Sequence, residues 1–315
     1  MSTEVKVIFG AAGIAMFPVE ERKQILSVLE GNNVKEIDTA YIYPGSEAAL
    51  AEVGAPARFT IDTKAPAFVP ESLSKSSLLA GAKKSLNSLG VQQVDTYFLH
   101  APDYDTPLEE TLSTIQELFE AGTFVRFGLS NFTPKQVQEI YDLATAKGYV
   151  LPTVFQGNYN AVARHYETEL FPLLRKLGIK FYAYSPIAGG FLVKSAEAIK
   201  AGIKGGRWDP ESPFGKLYNK LYNKPKIVAA LEKWESIAAE AGVAKAALAY
   251  RWTFFNSILD PTYGDAVIIG ATKLEQLQET LKVIKDGPLP SDIVAKINSI
   301  WESIKDEAPV DNFHG

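Results

Sequence analysis

The chain has 315 residues, of which 46% are hydrophobic and 22% charged, enough for one large barrel or two ordinary domains and too apolar throughout to predict disorder. It has no Cys and only three His, at positions 100, 165 and 314, which excludes a disulfide framework, a thiolate zinc site and a cysteine nucleophile and leaves little for a histidine-rich metal centre. A net charge of -5 without a basic block argues against nucleic acid, and no stretch approaches the roughly 20 apolar residues of a membrane span.

Short β-branched or aromatic runs alternate with helical patterns along the whole chain. Val5 to Phe9 reads as the first strand, followed by a helix over Pro18 to Leu29 that opens on proline and closes at Gly31. Val34 to Ala40 is the second strand, Ser46 to Val53 a short helix and Phe59 to Lys64 the third strand. A long amphipathic helix keeps Leu79, Ala82, Leu86 and Leu89 on one face and ends at Gly90. Val94 to His100 is strand four, and Pro107 to Ala121 a helix with Leu108, Leu112, Ile115 and Phe119 aligned. Val125 to Ser130 is strand five, after which Thr133 and Pro134 are an N-cap and first helical position, with Val137, Ile140, Tyr141 and Ala144 on the buried face.

Thr153 to Tyr159 is strand six, Glu167 to Leu177 its helix, and Lys180 to Ser185 strand seven. A Gly-rich, aromatic segment over Ile187 to Lys224 then breaks the rhythm; it is too long for a bare connector and reads as a lid. Lys220 and Lys224 are its candidate cations for a substrate carboxylate. Helices are expected over Lys226 to Ala241 and Ala244 to Phe255, then strand eight at Ala266 to Ile269, a helix marked by Leu274, Leu277 and Leu281, and a last helix over Pro290 to Ile304.

Eight strands, each followed by a helix and with no linker between, predict an α/β chain folded over 1–315 as a single (β/α)8 TIM barrel. A doubly wound sheet is the alternative. It is weakened because Gly10-Ala11-Ala12-Gly13, after the first strand, is not the G-x-G-x-x-G that a dinucleotide would need there.

With this register the C-terminal strand ends collect Asp38, Lys64, His100, Ser130, Asn131, Gln156 and Tyr184, and a loop delivers Tyr43 five positions after Asp38. Singly, each is a common turn, solvated or structural residue; together they form a ring. An ammonium at Lys64 would lower the pKa of the Tyr43 phenol, Asp38 would keep that lysine charged, and a neutral His100 would aim a carbonyl oxygen at the phenol. Such a set protonates an oxyanion while another agent attacks carbon. No side chain carries hydride, so a cofactor would have to.

These residues resemble the aldo-keto reductases nearly end to end. The resemblance maps Asp38, Tyr43, Lys64 and His100 onto that family's catalytic tetrad, Ser130, Asn131 and Gln156 onto its contacts with the nicotinamide carboxamide, and Tyr184, followed by Ser185, onto its stacking aromatic. Tyr159-Asn160-Ala161, Ala188-Gly189-Gly190 and Gly264-Asp265-Ala266-Val267-Ile268-Ile269-Gly270 are most similar to the branch of aflatoxin-aldehyde and succinic-semialdehyde reductases. Gly270 and Gln276 stand where many members carry the Lys and Arg that grip the 2'-phosphate of NADPH, but a helix N-terminus at Ala271-Thr272-Lys273 remains. The resemblance implies NADPH ahead of NAD, a small-molecule carbonyl substrate, and reduction of aldehydes, and of some ketones, to alcohols. It also includes dimeric members.

A different class of function, a cofactor-binding, redox-sensing subunit like the family's potassium-channel β subunits, would call for an N-terminal extension before Val5. A metal-dependent barrel isomerase or hydrolase would need clustered His and carboxylates at the strand ends. The start, Met1 to Lys6, has no long apolar run, which points to a cytoplasmic location.

Overall fold

Val, Ile, Phe and Tyr dominate the eight short strands, which pair in parallel in chain order until β8 returns to β1. The computed structural model describes residues 4–314. The strands are β1 (Lys6–Gly10), β2 (Glu36–Asp38), β3 (Thr60–Lys64), β4 (Val94–Leu99), β5 (Phe124–Ser130), β6 (Pro152–Asn158), β7 (Lys180–Tyr184) and β8 (Ala266–Ile269). Helices α1 (Val19–Gly31), α2 (Ser46–Glu52), α3 (Lys75–Leu89), α4 (Leu108–Glu120), α5 (Pro134–Lys147) and α6 (Leu170–Leu177) follow the first six strands and pack outside them. This is the predicted (β/α)8 barrel.

Local chemistry sets the helix ends. Thr133 accepts the Gln136 amide while the Gln136 side chain accepts that of Thr133, a capping box ahead of Pro134. Gly90, Gly148 and Gly178 close their helices in the left-handed conformation, which a side chain would strain. Two predicted faces change. Phe119 is not part of the buried stripe of α4; it stays 38% exposed against Phe124, and Leu118 packs inward instead. The run from Ala244 also divides into α10 (Lys245–Arg251) and one π-turn over Trp252–Asn256, because Trp252 and Thr253 are both fully buried and the wider turn accommodates them.

Ile8, Phe98, Val154, Tyr182 and Ile268 fill the barrel interior. Gly128 makes room for Phe98, since a Cβ there would lie 2.4 Å from the ring. Below this layer, at the N-terminal ends, the buried Glu36 and Asp62 form a charged floor with the partly exposed Arg126, Lys6 and Asp95.

The segment after β7 is built of short helices: a kinked turn over Ala188–Val193, then α7 (Ala196–Ala201), a turn at Gly206–Trp208 and α8 (Pro213–Tyr222). Ser195 and Ser212 cap α7 and α8 with their hydroxyls. Phe191, Trp208, Tyr218 and Tyr222 stack into one cluster, and Trp208 donates from Nε1 to the Gly189 carbonyl at 2.9 Å. Gly189, at φ +63°, is required twice over: a Cβ would also meet the Tyr218 ring at 2.1 Å. The chain then runs through α9 (Pro225–Glu240), α10, β8, α11 (Leu274–Val283) and α12 (Ser291–Ile304). Among the described residues no helix is long and apolar enough to cross a membrane.

Candidate active site

Hydrogen bonds beyond the strand ends fix the loops that carry the polar ring. Thr39 donates its amide to Asp62, Tyr41 to Lys64 and Ala65 to Phe98, so β2, β3 and β4 stay in register past their last paired residues. The turn from Ala40 to Ser46 closes through Tyr43 N to Ala40 O and Ser46 N to Tyr43 O. Below it, the Ser46 hydroxyl meets that of Thr39 at 2.7 Å and donates to the Ala11 carbonyl at 2.8 Å. Tyr43 is thus held on a short, braced turn.

Lys64 is completely buried, and its ammonium is satisfied on one side by Asp38 Oδ1 at 2.7 Å, Asp38 Oδ2 at 2.6 Å and the Thr39 carbonyl at 2.7 Å. Gln156 donates to Asp38 Oδ1 at 2.8 Å. Burial pushes the lysine toward losing its proton, but Asp38 and Tyr43 outweigh it and raise its pKa above the ordinary value. Burial also raises the Asp38 carboxyl, against the pull of Lys64 and Gln156.

The Lys64 nitrogen lies 5.3 Å from the centre of the Tyr43 ring, and the His100 ring stands edge-on to Tyr43 at 5.9 Å. The sequence leads one to expect a lowered phenol pKa; the structure corrects this. Burial holds the Tyr43 proton more tightly than usual, and Lys64 reduces that rise without cancelling it. His100 matches its expectation of neutrality, since burial and then the Lys64 charge hold its pKa well below the ordinary histidine value. Its Nδ1 is buried with no partner among the described residues. Phenol, ammonium and neutral imidazole side by side can donate a proton to an oxygen placed between the first and the last.

The residues predicted to face a nicotinamide also converge. Asn131, at φ +61°, donates to the His100 carbonyl at 2.9 Å and to Ser130 Oγ at 3.2 Å, and accepts from the Tyr184 hydroxyl at 2.7 Å. Ser185, at φ +57°, is anchored by Asn160 Nδ2 to its carbonyl at 3.0 Å. Left-handed non-glycine residues at the ends of β5 and β7, on either side of β6, are the kind of strain found at functional sites. Hydroxyl and amide groups beside a partly exposed Tyr184 ring suit a flat, amide-bearing ring.

Gly270, Thr272 and Lys273 lie between β8 and α11, and Gln276 is in the first turn of α11. Here Thr272 gives both its amide and its hydroxyl to Gln276 Oε1, at 3.0 and 2.9 Å. Lys273 is exposed beside them. Among the described residues no group of three or more His, Asp or Glu is placed to hold a metal.

The two predicted loop cations part company. Lys224 spends its ammonium on the Glu307 carbonyl at 2.9 Å, at the start of α9, and Lys220 is exposed on α8. Arg207 is the loop cation whose charge acts on Tyr43, and it lies over Tyr218 and Phe214, 6.0 and 5.9 Å from their ring centres. Trp208 sets this arrangement by stacking on Tyr218, a tertiary contact with no local sequence signal. The chain end was missed altogether: Asn312 donates its amide to the Tyr184 hydroxyl at 3.3 Å, and Phe313 approaches Phe68, whose ring is 5.1 Å from His100.

Residues 6–302 match the Aldo/keto reductase family. The chain is 42% identical over 293 residues to the oxidoreductase sirO of Leptosphaeria maculans, an alignment covering 92% of this chain and 88% of that one. It is 38% identical to an aldo-keto reductase of Pseudocercospora fijiensis, over 89% of this chain and 97% of the relative. It is also 38% identical to the human aflatoxin B1 aldehyde reductase member 2, with 87% and 80% covered.

Proposed function

This chain belongs to the aldo/keto reductase family, and from that premise we propose that it reduces aldehydes, and some ketones, to alcohols with NADPH. The observation that carries the reading is the seat of Lys64: a fully buried ammonium fixed by both oxygens of Asp38, next to a phenol and a neutral imidazole.

The nicotinamide, when bound, supplies the hydride that the side chains cannot. The protein does the rest. Tyr184 offers a ring face for stacking, and Ser130, Asn131 and Gln156 offer polar groups to an amide. Because Asn131 and Gln156 already bond to Tyr184 and Asp38, those contacts are held in place before any ligand arrives. His100 orients the substrate oxygen through Nε2, its Nδ1 being sealed in the protein. Tyr43 gives its proton to that oxygen as negative charge develops, and Lys64 stabilises the phenolate left behind. A phenol that keeps its proton at neutral pH suits the acid role, and the ammonium next to it eases the transfer at the moment of reaction. NADPH is preferred over NADH because Lys273 stands beside the first amides of α11, a place for a phosphate, and because of the branch the sequence resembles.

The test is Tyr43→Phe. Turnover of a simple aldehyde should fall by two or more orders of magnitude, while tryptophan quenching by NADPH stays as in the native enzyme. Near-native turnover would remove Tyr43 from the acid role. Equal quenching by NADH and NADPH would move the cofactor assignment and leave the reductase intact.

A further inference from the structure

An acidic residue in the first turn of a helix ordinarily faces water, where its charge complements the helix dipole. Glu47, in the first turn of α2, faces inward instead: it is 6% exposed, and its Oε1 accepts the Thr63 hydroxyl at 2.7 Å. A carboxylate withdrawn from water is costly without a partner, so this bond belongs to the packing of α2 on the barrel and is no surface contact. Tyr97 pairs with Thr63 across β3 and β4 and presents a buried hydroxyl to the same layer. Burial and then the Glu47 charge hold the Tyr97 proton more tightly than usual, which places the carboxylate close behind these two strands.

The bond joins the two carriers of the reacting groups. Thr63 immediately precedes Lys64, and successive residues of a strand face opposite sides, so Thr63 meets the helix layer while Lys64 meets Asp38 at the barrel mouth. Glu47 follows Tyr43 by four residues, and the two form one unit: the Tyr43 carbonyl accepts the Ser46 amide at 3.1 Å, and the Gly45 carbonyl accepts the Ala49 amide at 2.9 Å. Ser46 braces this unit toward β1 and β2, through the Ala11 carbonyl and the Thr39 hydroxyl. Glu47 braces it toward β3. The backbone bond from Tyr41 to the Lys64 carbonyl, at 3.2 Å, holds the start of the loop, and Glu47 holds its far end. The 5.3 Å between the Lys64 nitrogen and the centre of the Tyr43 ring is therefore spanned from behind by one side-chain bond.

We propose that Glu47 is a positioning residue for proton transfer: through Thr63 it clamps the turn that carries Tyr43 to the strand that carries Lys64, and so sets the distance across which the ammonium supports the phenol. A misplacement of about 1 Å at a reacting group costs on the order of a hundredfold in rate, so a bond of this kind bears on turnover far more than on binding. The inference rests on the reductase reading for the use of that distance, but the clamp itself is read without turnover.

Three variants separate the clamp from the charge. Glu47→Ala removes both. Glu47→Gln removes the charge and keeps an oxygen that accepts from Thr63. Glu47→Gln combined with Thr63→Val has the charge of Glu47→Gln and no clamp, and it buries no unpaired carboxylate, so it carries the test even where Glu47→Ala fails to fold. The first measurement is the single-turnover rate of NADPH oxidation by saturating propanal, which product release does not mask. It should fall by roughly ten- to a hundredfold in Glu47→Ala and in the double variant, and stay within about threefold of native in Glu47→Gln. Tryptophan quenching by NADPH should be unchanged in all of them. The second measurement labels the protein with [ζ-13C]tyrosine and identifies the Tyr43 resonance by its loss in Tyr43→Phe. That resonance should move at pH 7 in Glu47→Ala and in the double variant and return toward its native position in Glu47→Gln. A native rate in the double variant, a Glu47→Gln protein as slow as Glu47→Ala, or a Tyr43 resonance that does not move would overturn the clamp. A protein that reduces no aldehyde but whose Tyr43 resonance follows this pattern would keep the clamp and sink the reductase reading.

Discussion

Lys64 grips Asp38 at 2.7 and 2.6 Å but meets Tyr43 only across 5.3 Å to the centre of its ring. The lysine is therefore a buried ion-pair partner first and a tuner of the phenol second. Replacing Lys64 by Met should leave a carboxylate buried without its counter-charge, at a cost of about 3–5 kcal/mol, and should raise the pKa of Tyr43 further. Adding Asp38→Asn should recover most of the lost stability, because both charges are then gone, but not the turnover, because Tyr43 still lacks its cation. Urea unfolding and aldehyde reduction on the single and double variants separate the two roles. Recovered turnover in the double variant would show that the ammonium acts only on the fold.

His100 bears on the pH profile. Its pKa lies well below the ordinary 6.5 because of burial and, next, the Lys64 charge, so it is neutral at pH 7 and gains a proton only in acid. Tyr43, held above its ordinary 10.0, keeps its proton through the same range. For both groups the form needed for reduction is the one present at neutrality. The kcat/KM for aldehyde reduction should be flat from about pH 8 down to about pH 6, with any fall due to His100 below that. An acid limb centred near 6.5 or above that vanishes in His100→Gln would contradict the buried, neutral imidazole.

The parts of this site that were legible in the sequence are those where one chain segment decides the outcome. Each barrel strand is buried on both faces, so it appears as an apolar run, and a polar residue closing such a run, such as Asp38, Lys64 or His100, stands out at the mouth. Phe119 was misplaced because helical spacing puts it next to the buried stripe and cannot say how wide that stripe is. The π-turn at Trp252 follows from packing against Tyr159 and Arg164, which are distant in sequence. Arg207 and Phe313 were missed for the same reason. Stacking of Trp208 on Tyr218 orients one, and the bond from Tyr166 to Asp311 places the other, and neither contact leaves a periodic trace.

At the opposite end of the barrel from Tyr43, Glu36 and Asp62 face each other with 3% and 0% exposure. Among the described residues Glu36 Oε1 and Asp62 Oδ2 have no other hydrogen-bond partner, Arg126 meeting Glu36 Oε1 only as an ion pair at 3.6 Å, and a proton between the two carboxyls satisfies both. Burial and the Glu36 charge raise Asp62 well above its ordinary value. Burial would raise Glu36 too, but the Asp62 hydrogen bond and the Lys6 charge outweigh it and leave Glu36 lowered. The signs therefore differ. Asp62 holds more proton folded than unfolded, so its contribution is full below the unfolded value near 3.8 and is lost as pH rises through the folded value. The contribution of Glu36 is present above the unfolded value near 4.5 and is lost as pH falls through its lower folded value. Asp62→Asn, which fixes the neutral form, should match or exceed native stability at pH 8. Glu36→Gln should cost about 1–3 kcal/mol there by removing the counter-charge of Lys6 and Arg126, the smaller end applying if Lys6, 40% exposed, turns to water. Thermal unfolding of both variants at pH 5 and pH 8 decides it: if Asp62→Asn is the more damaging at pH 8, Asp62 is the ionised member of the pair.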